Sequence, residues 1–401
     1  MNKPMIAYLS PLPPKRTGIA RYSHHLIKAL HNSTNDTTID VYDDGVDQSN
    51  DWQDDYQARE LATLLFEKRC REPYRHFVYH FGNSPDFHFT LLQLLREQPG
   101  IVVLHDTVLF YLTTGHGGGE LWQALCAKQK TCSLETLSAM HQCSPQHDIA
   151  QYPHPEHYPG IDEILSQATA VVVHSQLAKS RILDAGYTGL IHQVPLIDYH
   201  QPTLFEIDRV ENKAIKKLYT QKCEDAVFII GVFGFAGKTK RRQSIFQALA
   251  ELPEAIKAQI KLLIIGVDIY QNDVVEMGLS HLVLSTGYTS DGDYDQSMAL
   301  CDLIINLRYP SMGETSAVQV QAMSAKKATI VSDHAWFAEL SDDSVHKIAV
   351  GEGEVEALKQ GIMRMLEDDD YRLSVAQSAQ NYVREHHSPQ VVAGQWLEIL
   401  R

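Results

Sequence analysis

The sequence predicts an α/β protein built from two doubly wound, Rossmann-like domains. Three observations lead to that expectation. At 401 residues the chain exceeds what one ordinary hydrophobic core organises, so two domains are expected. Short runs rich in valine, isoleucine and leucine alternate with amphipathic segments along its length, the pattern of parallel β-α units. The alternation pauses once, over the polar stretch from Pro195 to Ala226, and then restarts.

In the first half, strands are expected at Met5–Leu9, Ile39–Tyr42, Phe77–Phe81, Ile101–Leu104, Ala170–Val173 and Ile191–Val194. Helices are expected at Ala20–His31, Tyr56–Cys70, Phe87–Glu97 and Gln176–Ala185. The segment from Gly115 to Gly160, with its Gly117-Gly118-Gly119 run and the stretch QYPHPEHYPG, is the least regular and reads as a loop around one or two helices. A Lys-rich helix at Glu211–Tyr219 belongs to the linker. Strands follow at Val227–Phe233, Leu262–Ile265, Leu282–Leu284, Leu303–Leu307 and Ala328–Ser332, with a helix at Arg241–Leu252. Apolar periodicity then predicts three closing helices, Glu354–Glu367, Tyr371–Glu385 and Pro389–Leu400.

Composition narrows the function classes. With 44% hydrophobic and 21% charged residues the chain reads as a soluble globular protein, and no apolar run is long enough to span a bilayer. The start, MNKPMIAYLS, leads into a strand without a cleavable signal pattern, so a cytoplasmic location is expected. A formal charge of −15 argues against broad nucleic-acid binding. The six cysteines show no CxxC pair and fit buried free thiols. Cys126, Cys132, His141, Cys143 and His147 lie close in sequence, but their spacing matches no zinc framework.

Open α/β sheets bind ligands beyond the carboxyl ends of their strands, and the distinctive motifs fall there. After the first strand, SPLPPKRTGIARYS combines an extended proline loop with Gly18 at a helix start, where a missing Cβ lets backbone approach an anion. VVLHDTVL places His105 directly after a buried strand, so its side chain is expected to project, exposed, into a cleft, with Asp106 orienting it or capping the next helix. FVYHFGNSP places His80, Gly82 and Asn83 at another strand end. In GVFGFAGKTKRR a hydrophobic strand runs into glycines and then Lys238, Lys240, Arg241 and Arg242, a cationic helix start that suits an anionic ligand.

The richest stretch is RYPSMGETSAVQVQAMSAKKATIVSD, Arg308 to Asp333. It reads as strand, Pro-Ser-Met-Gly turn, a helix opening at Glu314-Thr315-Ser316, and a second strand. Unpaired N–H groups and the macrodipole make such a start receptive to phosphate, and two hydroxyls and a carboxylate stand beside it. Two other patterns are set aside. Asp293-Tyr294-Asp295 spells a metal-diphosphate DxD signature but sits at a helix start, where acids suit the dipole, and His386-His387 reads as surface.

Taken in order, SPLPP…TGI, HFGNSP…VLHD, GFAGKTKR and GETS…SD resemble the motifs of family 4 retaining glycosyltransferases, in a subgroup that reads GETS for the commoner EGFG. The resemblance covers nearly the whole chain. It implies a GT-B fold, with residues 1–205 as an acceptor domain, 206–383 as a nucleotide-sugar donor domain, and 384–401 as a C-terminal helix crossing back onto the first. It also implies that Gly18 contacts the donor diphosphate, with Thr17 and Arg21 as acceptor or phosphate contacts, and that His105 meets the donor sugar. Lys240 would supply the cation to the diphosphate, seconded by Arg241, while His80, Asn83 and Asp106 line the cleft. Glu314 stands one position beyond Gly313, where the family's first glutamate falls, and joins Thr315 and Ser316 in donor binding; Gln321 replaces the second glutamate. His105, Glu314 and Lys240 are the expected catalytic set. The implied reaction is transfer of a hexose from a nucleotide sugar, with retention, no cofactor and no obligatory metal. The subgroup leans towards GDP-mannose and bacterial surface polysaccharide or lipopolysaccharide assembly, with a glycan or lipid-linked acceptor and association at the inner membrane face. Two other classes share the architecture: a nucleotide-sugar epimerase, and a catalytically silent sugar-binding partner in a synthesis complex.

Overall fold

Parallel strands cannot be joined by tight turns and need crossovers, which this chain supplies with helices. A computed structural model describes residues 5–34, 37–45, 56–114, 134–147, 151–200, 205–234, 237–266 and 270–401. Gly117 to Gly119, Cys126 and Cys132 lie outside the described residues. Two compact units result: Met1–Ile197 with Met312–Thr315 and Pro389–Arg401, and Asp198–Ser311 with Ser316–Ser388. The divisions therefore fall after residues 197 and 388, not at 205 and 383 as the sequence suggested. Four residues around the GETS element also group with the first unit.

The first unit holds β1 (Met5–Leu9), β2 (Thr38–Asp43), β3 (Ala58–Glu60), β4 (His76–Phe81), β5 (Gly100–Leu104), β6 (Ala168–Val173) and β7 (Leu190–Gln193). They form a parallel sheet in the order β3-β2-β1-β4-β5-β6-β7. β4 and β5 are buried almost throughout because helices cover both faces of a parallel sheet. Leu9, Tyr79, Val102, Leu104 and Val171 form the core beneath helices Pro85–Glu97 and Gln176–Asp184. The sequence expected one helix from Tyr56 to Cys70. Instead Ala58–Glu60 pairs with the end of β2 as an edge strand, with Arg59 bound to Asp40 at 2.7 Å. Only Leu61–Phe66 is α-helical, followed by a 3₁₀ turn at Lys68–Arg71. Cross-strand pairing overrides the local helical period there.

Helix Gly18–Ser33 buries Ala20, Tyr22, Leu26, Ile27 and Leu30 and packs against the return helix, Pro389–Ile399. The return helix inserts Val392, Ala393 and Trp396, all fully buried. The Trp396 ring stacks over His80 at 6.1 Å.

The second unit holds β8 (Phe228–Phe233), β9 (Ile260–Ile265), β10 (Val283–Ser285), β11 (Leu303–Asn306), β12 (Ala328–Ser332) and β13 (His346–Ile348). Their order is β10-β9-β8-β11-β12-β13, again parallel. β13 carries no sequence signal, since three residues show no period. Close packing at its centre is sterically enforced, because a Cβ on Gly231 would lie 2.5 Å from Cys301 Sγ. Helices Arg242–Ala250, Glu354–Glu367 and Asp369–His386 supply Ile245, Leu249, Leu358, Ile362 and Val375 to the core.

Trp396→Ala is expected to lower unfolding free energy by about 3–5 kcal/mol, the usual cost of emptying a large core site. Urea denaturation checks this; a loss below about 1 kcal/mol would show that the return helix is not held by Trp396.

Candidate functional site

In a doubly wound sheet the ligand crevice lies where strand order reverses. The chain reverses at β1/β4 in the first unit and at β8/β11 in the second. Every predicted site residue lies in a loop or helix start beyond these or the adjoining strands, apart from His80, inside β4, and Gln321, inside a helix.

In the first unit the loop after β1 is fixed from β2. Leu12 N donates to Asp43 Oδ2 at 3.0 Å, and Lys15 Nζ lies 2.5 Å from Oδ1. Burial pushes the Asp43 carboxyl up to about 6, against the pull of Lys15. Thr17 Oγ1 accepts from Ile19 N and caps helix Gly18–Ser33. Gly18 is exposed, and a Cβ built there meets nothing within 4 Å, so the helix start is open to a ligand. Arg21 stands half-buried one turn further.

The β4 and β5 ends are tied together. Asn83 N donates to Asp106 Oδ2 at 2.9 Å, while Asn83 Oδ1 accepts from Tyr111 N and Leu112 N and caps helix Phe110–Thr114. The capping role expected of Asp106 therefore belongs to Asn83, and Asp106 braces the preceding turn. Gly82 permits this closeness, since a Cβ would lie 2.5 Å from Ile19 Cδ1.

His105 is not the exposed side chain the sequence suggested. It is half-buried among rings: Tyr22 at 4.8 Å, His174 at 4.8 Å and His80 at 5.4 Å. Its Nε2 lies 3.1 Å from His80 Nδ1. His80 itself is fully buried and so is not a wall that a ligand touches. Burial, then the neighbouring His174 and His80, holds the His105 imidazole well below its ordinary range. Burial likewise holds the His80 imidazole well below its ordinary range.

Met312–Thr315 adds to the same unit. Met312 O accepts from Thr107 N and Val108 N, each at 2.9 Å. Gly313 has φ +84°, and a Cβ there would fall 1.7 Å from Thr107 Oγ1, so glycine is obligatory. Arg181 Nη1 donates to Thr107 Oγ1 at 3.2 Å. Burial lowers the guanidinium's affinity for its proton, and Glu314 opposes that. Glu314 and Thr315 are half-buried. Arg181 carries no sequence signal, because it lies on an ordinary helix distant in the chain.

In the second unit two predicted motifs meet directly: Tyr309 N donates to Thr239 O at 2.8 Å, and the Arg241 guanidinium lies 5.9 Å from the Tyr309 ring centre. Lys240 Nζ reaches 3.5 Å from Phe233 O, and a Cβ on Gly234 would lie 3.2 Å from Nζ. Arg241 adopts a left-handed backbone, which delays the helix to Arg242. Its Nε and Nη2 both lie 2.9 Å from Oε1 of the buried Glu354. Arg242 is buried and donates to Gly234 O, supporting the loop from below.

Ser316 is the cap of helix Ala317–Ser324, one residue before the expected participants give way to helix. Its hydroxyl oxygen accepts from Gln319 N and from Asn306 Nδ2. Gln319 Nε2 continues the chain to Thr329 Oγ1. This buried network of Asn306, Gln319 and Thr329 was invisible in sequence. Gln321 is also buried, and its Oε1 accepts from the Tyr294 hydroxyl at 3.0 Å. Asp293 is internal too: its Oδ1 accepts from Glu211 N and Asn212 N. Among the described residues no group of three or more metal-ligating side chains is arranged to hold an ion.

Residues 216–382 match the family model "Glycosyl transferases group 1". An uncharacterised glycosyltransferase of Methanocaldococcus jannaschii is 26% identical over 229 residues, which span 56% of this chain and 56% of the relative. The chain thus spans about half the length of the curated relative it matches. Among solved structures, Anabaena HepE in complex with UDP and glucose aligns with TM-score 0.66 and 17% identity, covering 99% of each chain. Sucrose-phosphate synthase from Thermosynechococcus elongatus aligns at 0.64 and 16%, covering 99% and 98%. The fold is that of the GT-B glycosyltransferases.

Acid should destabilise the fold. Burial holds His80 and His105 well below the ordinary histidine value and His88 at about 3. Their unfolded-state value is about 6.5, so as pH falls the unfolded chain takes up protons the native state refuses, and stability is lost. Asp43 works oppositely between about pH 6 and 4, where the native state keeps a proton the unfolded chain releases. The three histidines set the direction, so stability falls from pH 7 towards pH 5, with Asp43 offsetting part of the loss. Urea unfolding at about pH 7 and about pH 5 measures it; unchanged stability would contradict the neutral cluster.

Proposed function

We propose that the chain is a retaining glycosyltransferase moving a hexose from a nucleotide sugar to a glycan or lipid-linked glycan acceptor. The observation that supports this most is the joined loop pair beyond β8 and β11, where Lys240 and Arg241 stand beside Gly234 and Tyr309. A cationic loop kept open by glycine at a strand-order reversal suits a diphosphate. That the HepE structures contain UDP and UDP-glucose supports a nucleotide-sugar donor for this architecture.

In this reading Lys240 takes up the negative charge that develops on the departing diphosphate, a charge-assisted bond that strengthens in the transition state. Arg241 is oriented by Glu354 and contributes second. Gly18 leaves room for a phosphate at a helix start, and Thr17 and Arg21 stand on its flank. His105 meets the sugar, Glu314 and Thr315 bind donor hydroxyls, the Gln321 amide stands where the family's ribose contact falls, and Ser316 shapes the helix start. The bond from anomeric carbon to diphosphate oxygen breaks as the acceptor oxygen bonds on the same face, and the acceptor proton passes to the leaving diphosphate.

GDP-mannose is the donor proposed, and surface polysaccharide or lipopolysaccharide assembly at the cytoplasmic membrane face the setting. No helix among the described residues is long and apolar enough to cross a membrane.

Thermal shift with GDP-mannose, UDP-glucose and the free diphosphates tests the donor, because a ligand at a hundred times its Kd adds about 2.7 kcal/mol of stability. The largest shift should come from GDP-mannose; no shift with any nucleotide would refute the function. Lys240→Ala should lower turnover at least about tenfold, corresponding to about 1.4 kcal/mol, and weaken nucleotide affinity. Unaltered kinetics in the folded variant would remove Lys240 from the diphosphate site.

Transfer should also persist in EDTA, since Lys240 and Arg241 supply the positive charge a divalent ion would otherwise provide. Loss of activity on chelation, restored by magnesium or manganese, would overturn the metal-free mechanism.

A further inference from the structure

The histidine pair at the ends of β4 and β5 has a protonation pattern that geometry resolves. A neutral imidazole carries one N–H donor and one lone-pair acceptor. His80 Nδ1 and His105 Nε2 are 3.1 Å apart, so one must donate and the other accept. His80 is fully buried, and its Nε2 is an interior atom with no hydrogen-bond partner. A proton on that Nε2 would be a buried unsatisfied donor, whereas a bare lone pair in an aromatic surround is the milder defect. The rings around it are Tyr8 at 4.5 Å, Tyr22 at 5.9 Å and Trp396 at 6.1 Å. The His80 proton therefore sits on Nδ1 and is donated to His105 Nε2.

That assignment propagates. His105 Nε2 is an acceptor with its lone pair occupied, so a neutral His105 carries its own proton on Nδ1, the ring nitrogen not engaged by His80. His174 adds a third ring beside His105, with its Nδ1 2.8 Å from Val194 O. His88 Nδ1, 3.0 Å from His80 O, holds the end of β4 in place. We infer that His80 is a positioning residue that locks His105 in the neutral Nδ1–H tautomer, so that His105 faces its ligand as a hydrogen-bond donor and not as a proton acceptor. The tautomer follows from the structure of the first unit alone; the ligand half rests on the glycosyltransferase reading. The consequence is a His105 that bonds a lone pair on a sugar oxygen and takes no proton from an attacking hydroxyl.

The test uses the full chain labelled with ¹⁵N-histidine, in long-range ¹H–¹⁵N correlation spectra, with His105 signals identified by their loss in His105→Gln. The expected spectrum shows a protonated Nδ1 and an unprotonated Nε2 for His105. A protonated Nε2, or a ring averaging between tautomers, would overturn the inference on the wild-type protein, whatever any variant does. His80→Asn places an amide N–H where Nδ1 was and should keep the tautomer, with turnover within about threefold of wild type. His80→Leu removes the donor and should release the tautomer and reduce turnover about tenfold. A His80→Leu protein in which the His105 tautomer stays fixed would refute the positioning role. A released tautomer with unchanged turnover would refute the ligand half and leave the hydrogen bond standing.

Discussion

Parallel pairing is the constraint on which the rest of this structure depends. Strands running in one direction must be reconnected by helices, and those helices bury both faces of each sheet. Polar chemistry is then confined to the sheet's rim. In both sheets the chain starts near the middle, winds outwards, and returns to the other side of its first strand. The loops beyond β1 and β4, and beyond β8 and β11, diverge at that point and leave room for a ligand. Gly18, Asn83, Lys240 and Ser316 belong to those loops for that reason.

The two rims are electrostatically unlike. The β4 and β5 ends carry imidazoles that burial keeps uncharged, packed with Tyr22 and Trp396. The β8 end carries Lys240, Arg241 and Arg242, with Glu354 compensating Arg241 inside the core. A neutral cluster offers directed hydrogen bonds without net charge. A cationic loop suits a phosphate. The return helix contributes to the first of these environments, because Trp396 closes the back of His80.

The GETS segment shows how one loop serves two purposes. Gly313 is admitted between Thr107 and Arg181 only because it lacks a side chain, and Met312 O occupies both backbone donors of Thr107 and Val108. Three residues after Gly313, Ser316 is fixed by Asn306 and Gln319. Glu314 and Thr315 are thus presented by a short span held firmly at both ends.

The sequence by itself determined the architecture. Periodicity located most of the strands, and the closing helix Glu354–Glu367 was read with its observed ends, because burial on both faces leaves apolar runs that need no partner to be recognised. It also placed Gly18, His105, Lys240 and the GETS residues at strand ends, since those positions follow directly from strand boundaries. Tertiary structure alone decided the rest. Ala58–Glu60 became a strand because β2 offered a free edge, and β13 was too short to show a period. Which of Asn83 and Asp106 caps a helix, whether His80 is exposed, and what holds Arg241 and Gln321 all depend on residues distant in the chain. Local propensity is written in neighbouring residues, whereas burial and hydrogen-bond partnership are set by contacts that only the folded chain creates.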